Sequence, residues 1–214
     1  MYNIHLMGDF KNLDQLIKDR TITDNAVQFK EGNSVKDIIQ LGFKLTAPLL
    51  IIMIAFALWR FFHLDNDLAF SFKTVVLLII ATISTYLLTY VHEFIHALFY
   101  PRKARKEVWK MLDQGAFFTY SEAPTSKCRF IVLCLAPAFI LGFIPYILWM
   151  LFADSWPMDL GLMILVISLA MTFGGAGDFV NVYNAWQQVP KNALVFNFGL
   201  HSYWIKDPNK PWII

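Results

Sequence analysis

The sequence predicts an all-α membrane protein with about four transmembrane helices and a short β-prone segment in the cytoplasm. Of its 214 residues, 57% are hydrophobic and only 16% are charged, whereas a soluble domain is nearer half apolar and a quarter charged. The apolar residues are also concentrated in blocks that are long enough to cross a bilayer. The net charge of +2 and the lack of a patch of basic and aromatic residues give no indication of nucleic-acid binding.

We expect three regions along the chain: an amphipathic cytoplasmic segment at 1–44, a transmembrane domain at 45–186 and a cytoplasmic tail at 187–214. In the first region, apolar side chains at helical spacing predict short amphipathic helices over 12–20 and 34–44. The second of these could lie on the membrane surface or pack on the membrane domain. The polar N-terminus does not resemble a cleaved secretory signal, so we expect the internal spans to direct insertion.

Within the transmembrane domain, apolar runs predict four spans, at about 45–62, 74–100, 130–152 and 160–186. Pro137 and Pro145 interrupt the third span, and prolines there kink the helix and free backbone carbonyls that neighbouring groups must satisfy. Between the second and third spans, residues 115–123 are β-prone. This segment could be one strand of a hairpin or an edge strand, and the apolar parts of the tail could pair with it.

The basic residues predict how these spans are oriented. Six Lys and Arg residues precede the first span, seven lie in the 101–129 loop and three lie in the tail. The two connections on the other side of the membrane share only Arg60 and Lys73. Because basic loops stay in the cytoplasm, the sequence predicts an integral protein of the cell membrane with both termini in the cytoplasm.

A His-Glu-x-x-His motif lies near the end of the second span, at His92, Glu93 and His96. The spacing of four places both imidazoles on one face of a helix, where they can bind one metal ion. Glu93 occupies the position of the general base in a zinc hydrolase, close to a metal-bound water. Ionisable side chains inside a span are costly and usually functional. The alternative is a hydrogen-bonded polar cluster of these three residues without metal.

Asp178 is the natural third ligand, because Glu93 and Asp178 are the only acidic residues inside the predicted spans. His92 and Asp178 each lie about 18 residues into spans that run toward the cytoplasm. At a rise of about 1.5 Å per residue they reach a similar depth. Catalytic zinc takes three protein ligands and keeps one position open, and Zn²⁺ with Asp178 and ionised Glu93 is neutral overall. Asp178 could instead cap a helix or pair with an interfacial cation, in which case His201 is the next candidate.

Asn181 and Asn184 follow Asp178 by about one and two helical turns. Their amides could hold a metal ligand in place or bind the backbone of a substrate. Capping a helix or contacting solvent in a loop are the alternatives for both.

The segments HEFIHALFYPRK at 92–103, GGAGD at 174–178 and VPKNALV at 189–195 resemble the family of small bacterial membrane proteins described as putative zincin peptidases. An HExxH in a span followed by an intramembrane aspartate is also similar to the site-2 protease class of intramembrane zinc metalloproteases. Those enzymes usually carry the aspartate in a Leu-Asp-Gly context, whereas here it lies in Gly-Ala-Gly-Asp-Phe-Val-Asn. The resemblance implies Zn²⁺ bound by His92, His96 and Asp178, with Glu93 as the base.

We therefore expect an intramembrane zinc metalloendopeptidase that hydrolyses a peptide bond of a membrane-embedded or juxtamembrane protein or peptide. The segment 115–123 could present an edge strand to this substrate. One alternative is a non-proteolytic zinc-binding membrane scaffold or regulator. The other is a small metal or proton transporter, which the absence of an inverted repeat in the sequence argues against.

Overall fold

The computed structural model describes residues 2–17, 21–22, 24–32, 35–64, 71–111 and 115–206. These residues are mostly helical, as predicted, and they form the helices α1 Asp14–Ile17, α2 Val35–Phe61, α3 Phe72–Phe99, α4 Lys127–Pro137, α5 Ile144–Phe152, α6 Met158–Gly174 and α7 Ala176–Gln188. The prediction of an all-α fold is nevertheless too narrow, because the described residues also form two small β-sheets. Their strands are short, and three of the five strand pairings join segments far apart in the sequence, so local patterns indicate them only weakly.

Within the described residues, three helical stretches are long and apolar enough to cross a membrane, at Asp37–Phe61, Phe72–Phe99 and Lys127–Ser155. A fourth exists if α6 and α7, which bend by 42° at their junction, are one span. The predicted surface helix over 34–44 is not separate, because α2 begins at Val35 and continues into the first span. Lys44 lies just before the apolar run but does not interrupt the helix, since lysine is a good helix former. For the helix predicted over 12–20, α1 covers part, and 18–20 lie outside the described residues.

The third span is irregular near its two prolines, as the sequence predicts. It consists of α4, a π-helical segment over Ala138–Phe143, α5 and a short 3₁₀ turn at Ala153–Ser155. Because proline lacks an N–H and its ring collides with the carbonyl four residues earlier, the regular hydrogen-bond pattern cannot pass Pro137 or Pro145. Gly142 brings this irregular segment against α6, since a Cβ there would overlap the Thr172 hydroxyl.

The first sheet has the order β1 (Ile4–Asp9), β3 (Lys106–Met111), β4 (Ala116–Tyr120), with β1 parallel to β3 and β3 antiparallel to β4. The second has the antiparallel order β2 (Val27–Gln28), β7 (His201–Lys206), β6 (Ala193–Phe198), β5 (Thr125–Ser126). Residues 115–123 thus contain one strand of a hairpin that is also an edge strand, as predicted. The suggested pairing of the tail with 115–123 is wrong. β4 packs against α3 and β3, and the tail strand pairs with β5 instead.

Charged side chains join the helix ends on both sides. At one end, Arg60 pairs with Asp154, and Lys73 Nζ lies 2.8 Å from Asp159 Oδ2, which ties α2 and α3 to the connection between α5 and α6. At the other end, Arg129 Nε donates to the Phe99 carbonyl at 2.8 Å. Cations suit the negative C-terminal ends of helices. Arg129 therefore anchors the end of α3 that carries His92 and His96.

Candidate metal centre

Helix α3 presents His92 and His96 one turn apart on its buried face. Only 7% of His92 and 6% of His96 is exposed. Their ring centroids are 4.8 Å apart and the two Nε2 atoms are 3.2 Å apart. The spacing of four in the sequence therefore brings both ring nitrogens to one point.

Helix α7 brings Asp178 to the same point. The break between α6 and α7 places this residue in the first turn of α7, where the helix dipole favours a carboxylate. Asp178 Oδ2 lies 3.0 Å from His92 Nε2, and Asp178 Oδ1 lies 3.2 Å from His96 Nε2. The structure thus brings together the three residues for which the sequence indicates a common depth.

These distances fit a zinc ion. Nitrogen and oxygen ligands at about 2.0–2.1 Å from tetrahedral zinc lie about 3.3 Å from one another. One ligand atom from each of His92, His96 and Asp178 falls within 4.8 Å of the others. The shortest contacts between the three residues, to which Asp178 contributes both of its oxygens, are 3.0–3.2 Å, a few tenths of an ångström from this ideal. The residue types, two imidazoles and one carboxylate, are also those of catalytic zinc sites.

The protonation pattern of His96 gives an independent reason for a cation here. His96 Nδ1 lies 2.9 Å from the Leu133 carbonyl oxygen. Because a carbonyl only accepts, Nδ1 must carry the hydrogen, and a neutral ring then has a lone pair on Nε2. That lone pair faces the Asp178 carboxylate at 3.2 Å. Two acceptors approach so closely only with a cation between them, which is either a metal ion or a proton that the two groups share.

The Leu133 carbonyl is available to His96 because of Pro137. In an α-helix the N–H of residue 137 would donate to the carbonyl of residue 133, but proline has no N–H. The next donor, the N–H of Ala138, turns to the Leu135 carbonyl. The sequence predicts that prolines in this span free carbonyls that neighbours must satisfy, and His96 is the neighbour that does so.

Glu93 and the three candidate ligands line one cavity of about 250 Å³. The Thr119 hydroxyl of β4 donates to the Glu93 carbonyl oxygen at 2.6 Å and so joins this turn of α3 to the sheet. Phe130 and Leu133 form part of the apolar wall. The cavity therefore combines a cluster of metal-binding atoms, a carboxylic acid and an apolar surface.

The other residues that the sequence singled out are divided between the cavity and its surroundings. Asn181 lines the cavity. Asn184 does not line it, and its Oδ1 accepts from Gln188 Nε2 at 3.1 Å. His201, the fallback ligand, lies on β7, where its exposed ring pairs with Glu31 at 2.8 Å. With Asp178 in place, His201 is not needed as a ligand.

The sequence does not single out three residues that bring hydroxyl or amide groups to the cavity: Tyr100, Thr119 and Asn197. Tyr100 continues the series of residues 92, 96 and 100, so extending the motif by one further turn would have found it. Thr119 and Asn197 come from β4 and β6, which reach the cavity through strand pairing, and no local pattern indicates that.

Comparison with known proteins supports the same chemistry. A family model described as "putative zincin peptidase" matches residues 85–194. No curated protein matches the chain, and no solved structure does. The similarity to site-2 proteases therefore stays a prediction. Because the family match covers just over half of the chain and includes the histidines, Glu93 and Asp178, the chain belongs to the putative zincin peptidase family.

Proposed function

We propose that this protein is an intramembrane zinc metallopeptidase that hydrolyses a peptide bond of a membrane-embedded or juxtamembrane substrate. The observation that carries the proposal is the approach of His92, His96 and Asp178 to within 3.0–3.2 Å of one another beside Glu93. Family membership supports metallopeptidase activity and zinc as the cofactor. The position of the reaction within a membrane is our own inference.

In this proposal, His92, His96 and Asp178 hold the ion. Bound zinc supplies Lewis acidity, which lowers the pKa of water toward about 7 and polarises a substrate carbonyl. Glu93 takes the proton from the attacking water and passes it to the departing amine. Its place directly after His92 and the anchoring of its backbone by Thr119 at 2.6 Å keep the carboxylate beside the cluster.

The strand β4 supports a peptide as the substrate. Phe118 and Thr119 of this strand line the cavity, and within the described part of the chain β4 is an edge strand that pairs with β3 alone. An extended peptide can add to such an edge through backbone hydrogen bonds. Asn181, on the α7 side of the cavity, offers an amide to the same backbone. A substrate helix would have to unwind to bind in this way.

The strand pairing supports four membrane crossings. β5 pairs with β6, so the ends of the chain segment between them lie on one side. That segment contains Lys127–Ser155 and the bent pair α6–α7. Because both of its ends are on one side, the segment must cross the membrane an even number of times. If the bent pair is one span, the number of crossings is two. β1 pairs with β3 in the same way across α2 and α3. The N-terminal segment, the 101–129 loop and the tail then share one side, which we infer to be the cytoplasm.

The surface of the helices supports placement in a bilayer. Large apolar side chains are exposed along α2 and α3, for example Ile51 at 65% and Leu87 at 64%. A continuous exposed apolar surface of this kind is typical of contact with lipid. The basic residues on the proposed outer side, Arg60 and Lys73, are both paired with aspartates. The other 16 of the 18 Lys and Arg residues lie on the proposed cytoplasmic side, as the positive-inside rule requires.

The test is cleavage of fluorescein-labelled casein, a generic unfolded chain, by zinc-loaded protein in detergent. We expect Glu93→Gln to lower the rate by about 10²–10⁴-fold, the typical contribution of a general base, with zinc content unchanged. Glu122→Gln is the matched control. Glu122 accepts from the Tyr120 hydroxyl outside the cavity, so this variant should keep full activity.

Three results would contradict the proposal. Full activity of Glu93→Gln would exclude Glu93 as the base. Zinc-loaded wild type that cleaves nothing would favour the non-proteolytic zinc scaffold instead. Zinc uptake into liposomes containing the protein would favour a transporter.

A further inference from the structure

Tyr100 lies on the same face of α3 as the two histidines. It follows His96 by four residues and caps the C-terminus of the helix. The residue is only 4% exposed, and it packs in a core with Phe130 and Leu133. It also lines the cavity that holds His92, His96 and Asp178. A rigid, buried phenol is therefore placed one turn beyond the candidate metal ligands.

The hydroxyl of Tyr100 is oriented by a hydrogen-bond relay from the tail hairpin. Asn197 on β6 and Ser202 on β7 are direct cross-strand partners. The Ser202 hydroxyl donates to Asn197 Oδ1 at 3.1 Å, which leaves Asn197 Nδ2 to donate to the Tyr100 oxygen at 3.0 Å. Every donor in this relay points toward Tyr100. Because the phenol oxygen already accepts a hydrogen bond, its own hydrogen is left to donate onward.

Among the described residues, none accepts that hydrogen. A buried hydroxyl hydrogen normally has an acceptor, and the cavity is the open space next to Tyr100. The missing acceptor is therefore expected to be a group that enters the cavity. An oxygen of a bound substrate meets this requirement.

We propose that Tyr100 is a catalytic residue that donates a hydrogen bond to the substrate carbonyl oxygen as it becomes negatively charged, and that Asn197 and Ser202 position it. This inference rests on the proposed peptidase function. When water adds to the carbonyl carbon, the C=O electron pair moves onto oxygen and Glu93 takes the proton. When the C–N bond breaks, that pair returns to re-form C=O, and the nitrogen leaves with the proton from Glu93. The Tyr100 hydrogen bond is strongest while the oxygen carries the charge, which is the condition for catalysis.

The probe for this role is a phosphinic pseudo-dipeptide, Phe-Ψ[PO₂⁻-CH₂]-Leu, whose charged tetrahedral centre imitates the addition intermediate. Its affinity for zinc-loaded protein in detergent is measured by titration calorimetry. We expect Tyr100→Phe to weaken binding by about 10–100-fold, the effect of losing a hydrogen bond to a charged oxygen. The reduced pseudo-dipeptide Phe-Ψ[CH₂-NH]-Leu has no oxygen at this position, so it should bind both proteins equally.

Two further variants separate this role from general damage to the fold. Asn197→Asp replaces the donor to Tyr100 by an acceptor, so the phenol should turn its hydrogen away from the cavity and the phosphinic probe should again bind about 10–100-fold more weakly. Tyr90→Phe is the matched control. The Tyr90 ring is on the same helix but packs on Phe117, so its loss of a hydroxyl should leave the affinity unchanged.

The outcomes distinguish this inference from the proposed function. Wild type that binds no zinc overturns the proposed function itself. If the protein holds zinc, equal affinity of wild type and Tyr100→Phe for the phosphinic probe overturns the role of Tyr100, as does failure of the zinc-loaded wild type to bind the probe. If Tyr100→Phe does not fold, Asn197→Asp decides, and unchanged affinity in that variant overturns the proposal.

Discussion

Replacing Pro137 by alanine should weaken zinc binding although Pro137 contacts no metal. The substitution restores an N–H at position 137, which can donate to the Leu133 carbonyl as in any α-helix. That carbonyl currently accepts from His96 Nδ1 at 2.9 Å. As the helix becomes regular, the carbonyl turns toward its axis and His96 loses the partner that fixes its ring.

The size of the expected loss in zinc affinity follows from the burial of the hydrogen bond between His96 and the Leu133 carbonyl. Both partners are buried, and a buried donor left without an acceptor costs about 1–3 kcal/mol. At about 1.4 kcal/mol per factor of ten, this corresponds to about 5–150-fold in zinc affinity. Loss of an outer partner of a metal ligand typically costs about 10–100-fold. We therefore expect a loss of at least tenfold.

The free energy of unfolding of the metal-free protein should change less than the free energy of zinc binding. Proline inside a helix is about 3 kcal/mol worse than alanine, and removing two buried methylenes costs about 0.8 kcal/mol each. Together with the cost of about 1–3 kcal/mol for the lost His96 hydrogen bond, these effects largely cancel, so the free energy of unfolding should stay within about 2 kcal/mol of the wild-type value.

The assay is competition for zinc against a chromophoric chelator in detergent at pH 7. Pro145→Ala is the matched control. It makes the same change in the same span, but in the described structure no candidate ligand contacts the carbonyl four residues before Pro145, so zinc affinity should not change. If Pro137→Ala binds zinc within twofold of wild type, the reasoning that links Pro137 to His96 is refuted.

Two other predictions concern the cavity and the topology. Gly177 lines the cavity and a Cβ there would meet open space. Gly177→Leu should therefore keep zinc but lower casein cleavage by about tenfold or more, because the added side chain occupies space in which the substrate must be positioned. Gly8→Leu on β1, also free of neighbours, should leave cleavage unchanged, and full activity of Gly177→Leu would show that the substrate does not pass this point. Cys128 is exposed and Cys134 is buried. An impermeant maleimide should therefore label Cys128 in permeabilised cells but not in intact cells. Labelling in intact cells would contradict a cytoplasmic 101–129 loop.

The sequence could predict the parts of the site that depend on one helix or on depth in the membrane. The pairing of His92 and His96 follows from helical periodicity, and Asp178 follows from counting residues along its span. The spans themselves follow from their apolar length, although a charge such as Lys44 did not mark the start of a helix. The role of Pro137 was foreseen only in general terms, because the sequence does not say which neighbour receives the freed carbonyl.

The parts that escaped depend on pairing between distant segments. Asn197 reaches Tyr100 because β6 pairs with β5, with Thr125 opposite Val195, and because the hairpin places Ser202 opposite Asn197. The β5–β6 pairing joins residues 70 positions apart, and short strands of this kind have little intrinsic preference to detect. The all-α prediction failed for the same reason.

The most direct test of the central claim is the zinc content of detergent-purified protein, measured for wild type, His96→Ala and Asp178→Ala. We expect about one zinc per chain in wild type, as for a three-ligand catalytic site, and its loss or marked weakening in both variants. Wild type without metal, even after zinc is offered, would contradict the account and leave a charged His–Asp cluster. Zinc lost in His96→Ala but retained in Asp178→Ala would show that the third ligand is a different residue.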